Sequence, residues 1–241
     1  MDDTLAQLAG AKLFSKLNAN SGFWQIPLSP ASRLLTTFIT PSGRYCFNKL
    51  PFGISSTPEH FQKRMSKILA GLDGVVCQMD DVLVFGSNRA HHDARLLAIL
   101  QRIESAGATL NAQKCVFGVT FVNFLDHVID QSGIQADPDK TLAIQEMKPP
   151  TTVSELRCFM GMVNQLGKFT PNLAQLTQPL RELLGKNTTW VWGPSQSEAF
   201  SLVKEELSKP TTLALYDPKA LTKVSADASS YGLGAVLTQD T

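Results

Sequence analysis

Residues 75–86 read VVCQMDDVLVFG. Two apolar runs flank the acidic pair Asp80-Asp81. Valine-rich and aromatic residues on both sides favour extended chain, so the stretch predicts strand, tight turn, strand. Successive side chains on a strand point to opposite faces, and two adjacent acids there diverge. A tight turn can present both near one point. Close carboxylates repel and call for a compensating cation. A divalent ion held by oxygen ligands is one answer, and Mg²⁺ suits carboxylates working with a substrate phosphate. A solvated hairpin turn with no chemistry is the other. On these residues alone both stand.

Working outward, a metal reading needs a further anionic ligand, because two-metal phosphoryl transfer holds ions roughly 4 Å apart among several carboxylates. The stretch FSKLNANSGFWQIPL, residues 14–28, has the right shape: a strand entering a polar turn, with aromatics behind. Its polar residues, however, are Asn18 and Asn20. Residues 21–50 read as strands and turns, with FWQIPL and LLTTFI separated by SPASR, then the turn TPSGR before YCFNKL. Residues 56–72, STPEHFQKRMSKILAGL, predict a helix. Thr57 can cap it, Pro58 suits the first position, and Glu59 suits the positive end. Phe61, Met65, Ile68 and Leu69 form its apolar stripe, and Gly71 ends it. A second helix covers about 89–106, with Leu96, Leu97, Leu100 and Ile103 inward and Gly107 as stop. Strand character returns in VTFVNFLDHVID, residues 119–130.

After residue 130 the pattern becomes helical. Asp137-Pro138 opens one helix and Pro149-Pro150 closes it. Thr152 and Glu155 have capping-box spacing. Leu156, Phe159, Met160 and Val163 form a stripe behind them. PNLAQLTQPLRELLG and PSQSEAFSLVKEELSK follow. From residue 211 TTLALYD, TKVSADAS and GLGAVLTQ read as strands again. A two-stranded hairpin is marginal by itself, so this end reads as the start of a larger β unit. The fold class is α+β.

Composition narrows the rest. The 241 residues are 43% hydrophobic and 18% charged, as in globular domains. No apolar run reaches the roughly 18 residues of a membrane span. The start, MDDTLAQLAG, lacks the basic and apolar regions of a targeting signal, so an intracellular protein, cytoplasmic or nuclear, is expected, with no membrane partner. Cys46, Cys77, Cys115 and Cys158 form no C-x-x-C pair and are read as reduced, mostly buried thiols. His60, His91, His92 and His127 make no zinc spacing with them. A net charge of +1 neither demands nor excludes a nucleic-acid partner.

The motifs, taken in order, resemble the polymerase region of gypsy-type LTR retrotransposon Pol polyproteins. FSKLNANSGFWQIPL is similar to the first palm motif of their reverse transcriptases, NKLPFGISSTPEHFQKRM to the Leu-Pro-Phe-Gly motif and its helix, and QMDDVLVFG to the aromatic-x-Asp-Asp motif. NAQKC and FLDHVI resemble the segments that follow. VSELRCFMGMVNQLGKFTPN is similar to the thumb, WVWGPSQSEAFSLVKEEL to the tether, and VSADASSYGLGAVLTQ to the first ribonuclease H hairpin. The resemblance implies a reverse transcriptase palm over 1–135 with fingers largely missing, thumb and connection helices over 136–208, and a truncated ribonuclease H-like start over 209–241. It implies RNA-directed DNA polymerisation with two Mg²⁺ ions. Carried over by position, the ligands are Asn18, the backbone carbonyl of Ala19, Asp80 and Asp81. Phe23 falls where an aromatic ring screens against a 2′-hydroxyl. Phe52, Gly53 and Gln62 fall where the nucleotide and template lie, and Asp227 matches the first ribonuclease H carboxylate. The implied partners are an RNA/DNA primer–template, deoxynucleotide triphosphates and the remaining polyprotein portions: fingers, the rest of ribonuclease H, and integrase.

The sequence departs from that pattern in ways that bear on activity. Asn18 stands in place of Asp, which keeps an oxygen but removes a charge. Asp126 stands where the family has Gly, adding a Cβ and a negative charge beside the expected primer backbone. Gln78 replaces an aromatic. Few finger residues and only one ribonuclease H carboxylate are present. The expectation is a reverse transcriptase fragment that is inactive or impaired as this chain. The alternative is a non-catalytic retroelement remnant that binds primer–template.

Overall fold

A computed structural model describes residues 5, 7–170, 172–186, 188–209, 211–217, 220–229 and 232–239. The chain divides into two compact units, Met1–Phe124 and Leu125–Thr241.

The first unit is built on an antiparallel sheet. Its strands are β1 (Leu13–Asn18), β4 (Val75–Gln78), β5 (Asp81–Gly86) and β6 (Val116–Val119), in the order β4-β5-β1-β6. Between β1 and β4 lie a 3₁₀ turn (Gly22–Gln25), α1 (Pro30–Leu34), the hairpin β2 (Phe38–Thr40) and β3 (Gly43–Tyr45), and α2 (Thr57–Leu69). α3 (Arg89–Ser105) follows β5, and β7 (Phe121–Phe124) ends the unit. Leu17, Val82 and Val84 of the sheet, Phe61, Met65 and Leu69 of α2, and Ile99 and Ile103 of α3 form one buried cluster. That is the alternation of a half-buried sheet meeting helical stripes.

Local chemistry explains where these elements depart from expectation. SPASR is a helix start rather than a spacer: Ser29 accepts from the Ser32 N–H at 3.3 Å and Pro30 takes the first turn. FWQIPL forms no strand beyond a single bridge between Pro27 and Lys49. Gln25 holds the 3₁₀ turn instead: its Nε2 donates to the carbonyls of Asn20 (2.6 Å) and Thr109 (2.9 Å), and its Oε1 accepts from Thr109 N–H at 2.8 Å. Thr57 does not cap α2; its hydroxyl donates to the Pro51 carbonyl at 3.1 Å. On α3, Leu97 is 58% exposed, while His92 and Ile99 are fully buried.

The second unit begins with β8 (His127–Asp130) and β9 (Gly133–Ala136), an antiparallel pair. The Asp130 carboxylate accepts from the N–H groups of Ser132 and Gly133 and so fixes the turn. Then come α4 (Pro138–Glu146), α5 (Val153–Gln165), α6 (Leu173–Leu176), α7 (Gln178–Glu182) and α8 (Pro194–Ser208). All of the predicted stripe residues of α5, namely Leu156, Phe159, Met160 and Val163, are buried, with Leu180, Phe200 and Val203 packed into the same cluster. Thr152 caps α5 by accepting from Glu155 N–H at 3.2 Å, and the Glu155 carboxylate reaches Thr151 rather than Thr152. β10 (Thr212–Leu213) pairs with β9, and β11 (Thr222–Ser229) pairs with β12 (Gly232–Gln239). Among the described residues no helix is long and apolar enough to cross a membrane. Cys46 and Cys158 are exposed and Cys77 and Cys115 half-buried, so the thiols are free but less buried than expected.

Candidate functional site

The register of β1 against β5 builds the site. Asn18 lies directly opposite Asp81, and Leu17 opposite Val82. The pleat sends Leu17 and Val82 into the core, where both are fully buried, and leaves Lys16, Asn18 and Asp81 on the other face. Asn18 Nδ2 donates to Asp81 Oδ1 at 2.9 Å. Lys16 Nζ reaches Asp81 Oδ2 at 3.0 Å. Both oxygens of Asp81 are therefore engaged, one by an amide and one by an ammonium. Ala19 is buried, bridges Leu110 across an antiparallel pair, and donates its N–H to the Asp80 carbonyl at 2.7 Å.

Asp80 takes a different direction. Gln78 and Asp81 pair across the β4–β5 hairpin, so Met79 and Asp80 form its loop. Met79 has φ of 53°, in the left-handed region that a bulky side chain avoids. The loop is held by Gln62 of α2, whose Oε1 accepts from Met79 N–H at 2.6 Å and whose Nε2 donates to the Cys77 carbonyl at 3.0 Å. Asp80 Oδ1 is buried and has no hydrogen-bond partner. It lies beside Gly22 and Phe61: a Cβ on Gly22 would sit 2.5 Å from Asp80 Oδ1 and 2.5 Å from the Phe61 ring. Gly22 is thus needed for close approach. Burial pushes the Asp80 carboxyl above its ordinary range, Asp81 adds to the rise, and Lys114 opposes it. Burial also pushes the Cys77 thiol up to about 12, with the charges of Asp80 and Asp81 contributing.

The aromatic residues gather nearby. Phe23 is half-buried, with its ring centroid 5.0 Å from Phe52 and 5.4 Å from Phe61. Phe52 is 66% exposed. Gly53 has φ of 87°, which favours glycine, and open space where a Cβ would go. Phe23, Asp80, Asp81, Asn18 and Gln62 are therefore drawn together by the β1–β5 pair and α2. Sequence reasoning missed Lys16 and the clamp made by Gln62. The only signal for Lys16 was its i, i+2 relation to Asn18 on a strand.

The side chains in this arrangement do not fit a pair of divalent ions. Among the described residues no group of three or more His, Cys, Asp or Glu side chains converges. Asp81 is neutralised by Lys16, the third position is an amide, and the free oxygen of Asp80 is turned toward Gly22 and Phe61. Asp126 and Asp227 belong to the second unit. Leu125 and Asp126 both have positive φ, 52° and 62°, so the turn that holds Asp126 is one where glycine is at ease. The Asp126 carboxylate accepts from Gln165 Nε2 at 3.0 Å and lies 3.5 Å from Lys140 Nζ. Asp227 on β11 is exposed and accepts from the Ala228 N–H at 2.8 Å.

Comparison with known proteins supplies the family. Residues 1–144 match the family described as reverse transcriptase (RNA-dependent DNA polymerase). Residues 192–241 match the RNase H-like domain found in reverse transcriptase. The Transposon Tf2-3 polyprotein of Schizosaccharomyces pombe is 33% identical over 99% of this chain, and the Tf2-7 polyprotein 32% identical over the same share. The chain spans 18% of the length of these relatives. Among solved structures, a foamy viral protease-reverse transcriptase (dRH) in complex with double-stranded DNA superposes with a TM-score of 0.92 at 22% identity, covering 98% of this chain and 42% of that one. The foamy viral enzyme in complex with an RNA/DNA hybrid gives 0.84 at 20% identity, covering 97% and 35%. These structural likenesses are of fold. The family match over more than half the length carries the conclusion that the chain belongs to the reverse transcriptase (RNA-dependent DNA polymerase) family, with an RNase H-like segment behind it.

Proposed function

We propose that this chain is a reverse transcriptase portion of a retrotransposon-type polyprotein whose nucleotidyl-transfer site is impaired, and that it keeps affinity for primer–template. One observation carries the reading: Asn18 donates its amide into Asp81 while Lys16 takes the other oxygen. A two-Mg²⁺ site, the family's expected chemistry, would stabilise the attacking and leaving oxygens through anionic ligands. Loss of one charge contact in the transition state costs on the order of 100-fold or more in rate. Purified chain is expected to give no measurable Mg²⁺-dependent primer extension on an RNA template. Robust extension that Asp80→Ala abolishes would overturn the reading. Asn18→Asp is expected to create Mn²⁺ binding detectable by electron paramagnetic resonance, independent of turnover.

Retained binding is supported by the solved neighbours of the same fold, described in complex with double-stranded DNA and with an RNA/DNA hybrid. Salt-dependent binding of an RNA–DNA duplex without nucleotide incorporation is the expected result. Absence of binding at low salt sinks this part.

A further inference from the structure

The outward face of α2 is more basic than anything the site uses. His60, Lys63, Arg64 and Lys67 recur at i, i+3, i+4 and i+7, the spacing of one helix face. The buried residues Thr57, Phe61, Met65 and Leu69 mark the face packed on the sheet. Gln62, which clamps the Asp80 loop, projects from the opposite flank by the same periodicity. The basic row and Gln62 therefore lie on different flanks of α2. All of its members are exposed, and with Ile26 they line an open trough of about 300 Å³. None of them makes an ion pair among the described residues, although Glu59 sits four positions before Lys63. Glu59 is the only acid on the helix. With a whole-chain net charge of +1, this row is a local concentration rather than part of a general positive surface.

We propose that this face is a second nucleic-acid contact, binding the phosphates of a single strand along Lys63, Arg64 and Lys67, with Ile26 as an apolar floor. Unpaired cations in a line suit a polyanion, since binding releases the counterions condensed on it. A single strand can follow a helix face little more than two turns long, where charges one turn apart stand about 5.4 Å from each other. The proposal rests on the family reading only for the class of polyanion.

The test uses the full chain and a fluorescein-labelled single-stranded RNA of mixed sequence, read by fluorescence anisotropy across a salt series. Lys63→Gln, Arg64→Gln and Lys67→Gln combined should weaken binding and reduce the log–log salt slope by about 2, at about 0.7 per phosphate contact on single strands. A control with Lys12→Gln, Lys148→Gln and Lys186→Gln removes equal charge from exposed positions elsewhere and should leave most of the slope. Single-stranded DNA should behave as RNA does, since the contact reads phosphates. An unchanged slope in the α2 variant, an equal loss in the control, or competition by poly-glutamate equal to that by RNA overturns the proposal. An unchanged slope alongside intact duplex binding overturns it while leaving the reading of the polymerase site in place. Circular dichroism melts of the variants guard against a folding artefact.

Discussion

At the scale of single residues, Asp80 is a carboxylate held in surroundings that disfavour its charge. Its Oδ1 is buried without a partner beside Gly22 and Phe61, and burial raises its proton affinity. The sign of the consequence follows from linkage. Between the unfolded carboxylate value and the raised folded value, the folded chain holds a proton that the unfolded chain has released. Stability therefore falls as pH rises through that window, and above it the cost of the buried charge is fully present. Asp80→Asn keeps the shape and removes the charge. Its urea midpoint is expected to exceed that of the unaltered chain at pH 7, with the difference shrinking as pH falls below the raised folded value and gone by about pH 4, the ordinary carboxylate value. A midpoint lower than the parent's at neutral pH would show that Asp80 is held by a favourable charge contact. The sequence made Asp80 and Asp81 visible because two acids interrupt an apolar run. It could not show that Lys16 and Asn18 would take both oxygens of Asp81, because that depends on which residue of β5 lies opposite Asn18.

At the scale of elements, α2 is the part that positions the site, and Gln62 is the reason. One amide satisfies the Met79 N–H and the Cys77 carbonyl, so the helix grips the hairpin loop at both shoulders. The loop needs gripping because Met79 is held at positive φ, a conformation costing of order 1–3 kcal/mol. Gln62→Leu preserves helix propensity and bulk while stranding both backbone groups. The expected loss is about 1–3 kcal/mol in chemical denaturation, with faster amide exchange at residues 77–81. A change confined to α2 itself would show that the loop holds its own shape. Elements were legible where period and end signals agree, as in α5, whose stripe is wholly buried and whose cap is Thr152. SPASR was misread because serine and proline serve turns and helix starts alike. Leu97 was placed inward by apolarity alone, whereas the buried side of α3 runs through His92 and Ile99. His92 is kept there by Ser15 Oγ at 2.9 Å from its Nε2 and by Asp93 on its Nδ1 at 2.8 Å.

At the scale of the whole molecule, each compact unit carries its own buried cluster. The cluster of the first unit joins Leu17, Phe61, Val82 and Ile99, and that of the second joins Phe159, Met160, Leu180, Phe200 and Val203. Units with separate cores can unfold separately, since cooperativity follows shared burial. Phe159 is fully buried, with its ring 4.6 Å from that of Phe200. Phe159→Ala removes a large ring from that packing, and such changes cost about 3–5 kcal/mol through lost burial and the cavity left behind. The loss should fall on residues 125–241. Hydrogen exchange followed by mass spectrometry is expected to show faster exchange through α5 and α8, with β1, β4 and β5 unchanged. Equal acceleration in both halves would mean that the two clusters unfold as one, and the candidate site in the first unit would then depend on the packing of the second. Unchanged exchange at Asn18 and Asp81 would instead place the origin of any weakness at that site in its own charges.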